Sequence, residues 1–167
     1  NAEDLDGQSI LLDDRWNLFS FRVQPPVTSV AQVLSSIDGD YDLVLGETGI
    51  YSRGLSSAYN TLEELLPELG YYIRISRTSS VNLRIEGTTV PVSSSIPLHA
   101  GWNWVGYLPD VTLPITVALQ SIEGHYQRVL SLDQFYAPAL PAFSTLLEMG
   151  PGEGYLIYAD EAVTLTY

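Results

Sequence analysis

The chain contains no cysteine and no lysine, and its basic side chains are seven arginines against twenty acidic residues. The lack of cysteine excludes disulfides and thiolate metal sites, and the lack of lysine also excludes Schiff-base catalysis. The formal net charge of −13 repels nucleic-acid phosphates and anionic lipids. No apolar run approaches the roughly 18–20 residues that cross a bilayer. We therefore expect neither nucleic-acid binding nor membrane insertion.

The composition is that of a chain able to build a core. Of its 167 residues, 46% are hydrophobic, which suits one ordinary domain or two small ones sharing a core. The acidic residues are spread along the chain and indicate a solvated acidic surface. The chain starts at Asn1, without Met or a basic signal region. We interpret it as a processed mature protein or an excised fragment.

The sequence repeats itself once, at an offset that drifts from 86 residues (Trp16 to Trp102) to 82 (Val81 to Val163). The matching blocks keep their order, which indicates duplication of one small unit. The paired blocks are residues 10–12 and 96–98, 15–19 and 101–105, 37–41 and 122–126, 44–45 and 129–130, 61–65 and 145–149, 67–73 and 151–157, and 81–83 and 163–165. We expect a first repeat unit over 1–87 and a second over 88–167, packed as one globule.

Each block predicts an element. The Trp-Asn block predicts a strand with Trp16 and Trp102 pointing inward. Residues 30–37 and 115–122 carry an apolar stripe at i, i+3, i+4 and i+7, which predicts a short helix ending at a glycine in each copy. Strands over 41–45 and 50–53 form a hairpin in the first copy, whereas the Pro-rich second copy predicts an irregular loop.

A Thr-x-x-Glu pattern occurs in both copies, as Thr61 with Glu64 and Thr145 with Glu148. Each pair predicts a capping box that opens one helical turn. Strands over 71–76, 81–85, 155–159 and 163–167 complete the units. The fold class is thus mainly β with short helices, as two tandem homologous, sandwich-like β units related by a pseudo-twofold.

The pattern Gly101-Trp102-Asn103, followed by Pro151-Gly152-Glu153-Gly154-Tyr155, resembles the tandem Gly-Trp-Asn-Leu / Pro-Gly-x-Gly-Tyr repeat modules of bacterial secreted and cell-surface proteins. The first copy departs from it, since Arg15 replaces the first Gly and Glu68 replaces the Gly after Pro67. The resemblance implies a secreted, extracellular accessory or architectural module with no catalytic residues.

The sequence offers few residues that could act in catalysis. His99 and His125 both fall in loop contexts, and Asp40 stands at the position of His125 in the first copy. A carboxylate pair built from Glu63 or Glu64 and Glu148 is the remaining hydrolase hypothesis, but capping explains Glu64 and Glu148 better. We expect no enzyme.

Calcium is the one cofactor for which the sequence offers a set of ligands. Asp38, Asp40 and Asp42 place three carboxylates at alternate positions, and hard cations take several oxygen ligands. The competing interpretation is a set of solvated surface acids. Residues 3, 4 and 6 form a second, weaker acidic cluster.

Aromatic residues offer a contact surface. Trp16, Trp102, Tyr71 and Tyr155 occupy repeat-equivalent positions, which favours core packing. The aromatic side chains in the variable segments are the better candidates for contact with a ligand or partner. They are Tyr51, Tyr59, Phe135 and Tyr136.

Two functions follow. The first is a self-assembling surface or filament subunit that uses strand-edge contacts, with other copies of itself as partner. The alternative is a carbohydrate-binding or adhesive accessory module of a larger secreted protein, with a cell-surface glycan as partner.

Overall fold

The computed structural model describes residues 6–167 as a mainly β chain of antiparallel sheets with two short helices. This confirms the predicted fold class. The strands are β1 (Asp6–Leu12), β2 (Arg15–Phe19), β3 (Val23–Gln24), β4 (Tyr41–Leu45), β5 (Ile50–Ser52), β6 (Tyr71–Ile75), β7 (Val81–Thr89), β8 (Ile96–Leu98), β9 (Gly101–Val105), β10 (Leu113–Pro114), β11 (Tyr126–Leu130), β12 (Phe135–Tyr136), β13 (Glu148–Met149), β14 (Tyr155–Ala159) and β15 (Val163–Leu165).

Helix α1 (Val30–Val33) and helix α2 (Ile115–Ala118) are single turns, each followed by a 3₁₀ segment, Ser35–Ile37 and Gln120–Ile122. Both pairs end before a glycine with positive φ, Gly39 (91°) and Gly124 (80°), which stops the helix as predicted. Ser29, at the N-cap position of α1, makes no side-chain cap hydrogen bond. None of the helices described over 6–167 is long and apolar enough to span a membrane.

Two four-stranded sheets have the same strand order, β2-β6-β4-β5 and β12-β11-β14-β9 read in reverse. Their registers also match: Trp16 faces Arg74 as Trp102 faces Tyr158, and both sheets shift register at one bulge, after Tyr41 and after Tyr126. Because register is set by which residues must face the core, the two halves bury corresponding positions.

Two smaller sheets lie beside the four-stranded ones. One has the order β1-β7-β3 and the other pairs β8 with β15. Here too the pairings correspond, since Ile10 faces Leu83 as Ile96 faces Leu165. The short pair β10–β13 has its counterpart in a single bridge between Ser29 and Glu64.

The buried side chains form two hydrophobic clusters, one drawn from residues 10–85 and the other from residues 90–165. Tyr71 and Tyr155 are 1% and 0% exposed, which confirms the prediction that they pack in the core. Each hydroxyl accepts a backbone N–H, from Leu66 (2.9 Å) and from Gly150 (2.8 Å) respectively. Burial raises the pKa of Tyr71 to about 12, so the phenol is neutral at neutral pH.

The two halves are joined by reciprocal backbone hydrogen bonds. Gly154 N–H donates to Leu18 C=O (3.0 Å), and Gly70 N–H donates to Trp104 C=O (3.2 Å) at the equivalent place. Backbones approach closely here, because a Cβ on Gly154 would lie 3.3 Å from Cα of Gly70. A Cβ on Gly106 would lie only 2.0 Å from the carbonyl oxygen of Pro67. Glycine is therefore required by contact between the halves.

The Trp-Asn block closes a tight turn through its asparagine. Asn17 accepts the N–H of Asp13 and donates to its C=O, both at 2.9 Å. Asn103 makes the same two 2.9 Å bonds with His99. The asparagine amide thus substitutes for a backbone partner at the turn.

This arrangement overturns the predicted strand phase. Asn103 (4% exposed) and Val105 point inward, while Trp16 is 37% exposed and Trp102 is half-buried on the outer face. Because neighbouring side chains in a strand alternate, an inward asparagine forces its tryptophan neighbours outward. The expectation that Trp16 and Trp102 pack in the core was wrong.

The predicted capping boxes are also absent, since no helix follows Thr61 or Thr145. The Thr61 hydroxyl accepts the N–H of Ile50 (3.1 Å) and the Thr145 hydroxyl accepts that of Phe135 (3.2 Å). Glu64 accepts a hydrogen bond from Thr28 (2.6 Å), and Glu148 lies in β13. In the second copy a short hairpin, β11–β12, precedes the prolines. Pro138 and Pro141 themselves lie outside the strands, in a turn and in the 3₁₀ segment Pro141–Phe143.

Candidate functional site: the free edge of β1

A sheet edge offers unpaired N–H and C=O groups to any strand that approaches it, and proteins usually block such edges. Most edges in this chain are blocked by its own side chains. At β5, Asn60 accepts the N–H of Ser52 (2.9 Å) and donates to its C=O (3.2 Å). At β12, the hydroxyl of Ser144 accepts the N–H of Ala137 (3.0 Å). Together with Thr61 and Thr145, these side chains replace an edge strand.

The far edges of β7 and β15 are blocked by serines of the 3₁₀ segments. The Ser36 hydroxyl accepts the N–H of Arg84, and the Ser121 hydroxyl accepts that of Thr166, both at 2.9 Å. These two bonds also show in which direction the backbone groups of β7 and β15, and therefore of their partners β1 and β8, point. Arg84 faces Ser9 across the sheet, and its N–H points away from β1.

The pairing of Ser9 with Arg84 is therefore of the non-hydrogen-bonded kind, in which both backbones point their polar groups outward. Because the polarity alternates along a strand, Gly7, Ser9 and Leu11 direct their N–H and C=O groups away from β7. None of these groups has a partner within residues 6–167. All three residues are exposed, and the Leu11 side chain is 69% exposed. This row of groups is the free edge of β1.

The equivalent edge in the second half is β8, and proline blocks it. Pro97 faces Thr164, as Leu11 faces Asn82 in the first half. The backbone N–H and C=O of Thr164 point away from β8, as those of Thr166 do, because Thr166 lies two positions after Thr164, just past the end of β15. The backbone groups at Pro97, which faces Thr164, therefore point away from β15. Proline has no N–H to offer there.

A side-chain link closes the space beside β8 as well. The Glu47 carboxylate contacts His99 Nε2 (2.7 Å) and accepts the N–H of Trp104 (3.0 Å). This link crosses a cleft of about 550 Å³ between the halves. A hydrogen bond to the Ala100 carbonyl and the nearby Glu47 raise the pKa of His99. At the equivalent groove beside β1, of about 260 Å³, the exposed carboxylates of Asp13 and Asp133 take the place of this link.

The three aspartates proposed as a calcium site are each engaged by a different arginine. Asp38 pairs with Arg53 (2.9 Å), Asp40 with Arg77 (3.1 Å) and Asp42 with Arg74 (2.8 Å). Hydrogen bonds from Arg74 lower the pKa of Asp42. No three His, Asp or Glu side chains of the described chain converge as metal ligands would. Asp6 begins β1, and Glu3 and Asp4 of the second acidic cluster lie outside the described residues.

The four aromatic contact candidates separate into two kinds. Tyr136 is 8% exposed and packs beside Tyr126, and Tyr51 packs in the same way beside Tyr41 at the equivalent position. Tyr136 thus belongs to the core of the second half, and Tyr51 is a half-buried ring packed against the core of the first half. Tyr59 (68% exposed) and Phe135 (37% exposed) are open to solvent, but lie apart, one in each half.

The residues considered for catalysis do not form one site. His125 contacts Glu161 (2.8 Å) in the second half, while His99 contacts Glu47. Glu64 bridges to Ser29 in the first half, and Glu148 pairs with Pro114 in the second.

Sequence reasoning considered strand-edge contacts but did not locate the edge. The signal was present in the repeat itself, because Leu11 aligns with Pro97 and only one of them can donate a hydrogen bond. No family model matches the chain, and neither curated proteins nor solved structures provide a match.

Proposed function

We propose that the chain is a non-enzymatic, extracellular structural module that associates with a second copy of itself through the free edge of β1. The observation that carries the proposal is the contrast between two equivalent edges, one blocked by Pro97 and the other ending in the exposed, unpaired backbone of Gly7, Ser9 and Leu11. The extracellular setting is the expectation that the resemblance brings. An open edge is a ready template for an added strand.

A second copy fits this edge in antiparallel orientation. Placing Ser9 opposite Ser9 brings Gly7 of one copy opposite Leu11 of the other, and all of these residues direct their polar groups toward the partner. Because the contact is the same on both copies, it closes a twofold dimer. A filament would need a second open edge, and Pro97 blocks the one that the duplication provides.

The association is expected to be weak and to depend on salt. A single pair of edge strands buries less than the roughly 1,200 Å² of a standard interface. In addition, each copy carries a net charge of −13, and Asp6 of one copy lies near Asp13 of the other in this pairing. Screening by salt reduces this repulsion, so higher ionic strength should strengthen the dimer.

The test is analytical ultracentrifugation from micromolar to near-millimolar protein, on the wild type and on Leu11→Pro. This substitution copies Pro97 into the equivalent position and removes an N–H that points away from β7, so we expect the β1–β7 hydrogen bonds to be kept. We expect a concentration-dependent dimer for the wild type and a monomer for L11P. The matched control Leu11→Val keeps the N–H and should dimerise. A wild type that stays monomeric throughout, or an L11P variant that dimerises equally well, would refute the proposal.

A further inference from the structure

The outer face of the second four-stranded sheet carries a small aromatic notch of about 270 Å³, lined by Trp102, Tyr158, Arg128 and Gln127. The rings of Trp102 and Tyr158 stand 5.3 Å apart and nearly perpendicular, at 81°. They therefore form a corner and not a flat patch. Both rings are half-buried, whereas Arg128 and Gln127 are exposed.

Arg128 supplies an unused positive charge at this corner. It is the only arginine among residues 88–167, which hold seven acidic residues. Even so, the side chain of Arg128 makes no hydrogen bond and no ion pair with any part of the chain that the structure describes. The nearest strand neighbour, Gln127, is bound instead to Asp160.

The equivalent corner of the first half is filled by its own side chains. Arg74 stands at the position of Tyr158, with its guanidinium 5.6 Å from the ring centre of Trp16. It also donates two 2.8 Å hydrogen bonds to Asp42. In the second half, Gln127 replaces this aspartate and Arg128 replaces Leu43. The equivalent tryptophans therefore have different neighbours: Trp16 lies beside the Arg74–Asp42 ion pair, and Trp102 lies beside the unpaired guanidinium of Arg128.

We propose that this notch binds a carboxylated sugar ring, a hexuronic acid unit of a short or terminal glycan. Arginine recognises a carboxylate through two parallel hydrogen bonds, and the aromatic corner covers the apolar face of the ring. The notch is smaller than the roughly 300–1,000 Å³ pockets of drug-sized ligands, so it suits one ring. The net charge of −13 opposes long polyanions, which favours a single acidic sugar. This site is independent of the free edge of β1.

The experiment is an NMR titration of the indole N–H of Trp102 with methyl β-D-glucuronide, with methyl β-D-glucoside and sodium acetate as controls. We expect saturable shifts with the glucuronide and affinity for the glucoside that is lower by roughly tenfold or more, because the charged hydrogen bonds are lost. Arg128→Leu, which copies Leu43 at an exposed strand position, should remove this preference. Trp16→Ala should leave it unchanged.

A gain of binding provides the second arm. The triple variant Asp42→Gln, Leu43→Arg and Arg74→Tyr transfers the notch into the first half, and the indole N–H of Trp16 should then shift with the glucuronide. Equal affinity for glucuronide and glucoside, acetate binding as strong as glucuronide binding, or an R128L variant that retains the preference would overturn the proposal.

Discussion

Arg15 occupies a backbone conformation that the repeat otherwise gives to glycine. Its φ is 72°, and the equivalent Gly101 has a φ of 98°. Among residues 6–167, Arg15 is the only residue other than glycine with positive φ. An L residue in the left-handed region costs about 1–2 kcal/mol, whereas glycine adopts it freely but loses about 0.5–1 kcal/mol in chain entropy. The substitution Arg15→Gly should therefore raise the free energy of unfolding by about 0.5–1 kcal/mol.

Urea denaturation followed by tryptophan fluorescence measures this directly, as a higher midpoint at unchanged slope. Arg15→Ala is the matched control, because alanine removes the side chain but keeps the backbone restriction. The reverse change, Gly101→Ala, should destabilise the chain by about 1 kcal/mol or more. No atom lies within 4 Å of a Cβ at Gly101, so that loss reports backbone strain alone. Equal midpoints for R15A and R15G would refute the reasoning.

Three further predictions follow from the contacts. Gly106→Ala should cost about 3 kcal/mol or more in urea denaturation, because its Cβ would meet the Pro67 carbonyl at 2.0 Å; a loss below 1 kcal/mol would contradict this. The raised pKa of His99 means that its contacts add stability below the unfolded value of about 6.5, which is lost as the pH rises through the folded pKa; Glu47→Gln should flatten this dependence, and an unchanged profile would count against the link. Millimolar calcium should not move the melting temperature, because arginines already pair with Asp38, Asp40 and Asp42; a rise that Asp40→Asn abolishes would contradict this and support the calcium hypothesis.

The spacing of hydrophobic residues and the positions of the glycines were enough to predict most of the strands and both short helices. The helix stops at Gly39 and Gly124 and the burial of Tyr71 and Tyr155 were predicted correctly, because local turn chemistry and apolar spacing decide them. The phase of the Trp-Asn strands could not be predicted in this way. Hydrophobicity alone predicts that tryptophan points inward. However, Asn103 must point inward to make its hydrogen bonds to the turn at His99, and its tryptophan neighbours then point outward.

The edges of the sheets required knowledge of long-range partners. The hydroxyl of Thr61 fits a capping box or an edge strand equally well in sequence, and only the position of Ile50 decides between them. For the same reason, the sequence could not show that Asp42 lies beside Arg74, 32 residues away. It did contain the contrast between Leu11 and Pro97, which becomes meaningful once the outward polarity of both positions is known.

The central claim is that β1 has a free edge that a second copy covers, and amide hydrogen exchange tests it most directly. The N–H groups of Gly7, Ser9 and Leu11 should exchange rapidly in dilute protein and become protected as the concentration rises, while those of Gln8 and Ile10, which point toward β7, stay protected throughout. A dimer in which the amides of Gly7, Ser9 and Leu11 still exchange rapidly would contradict the account.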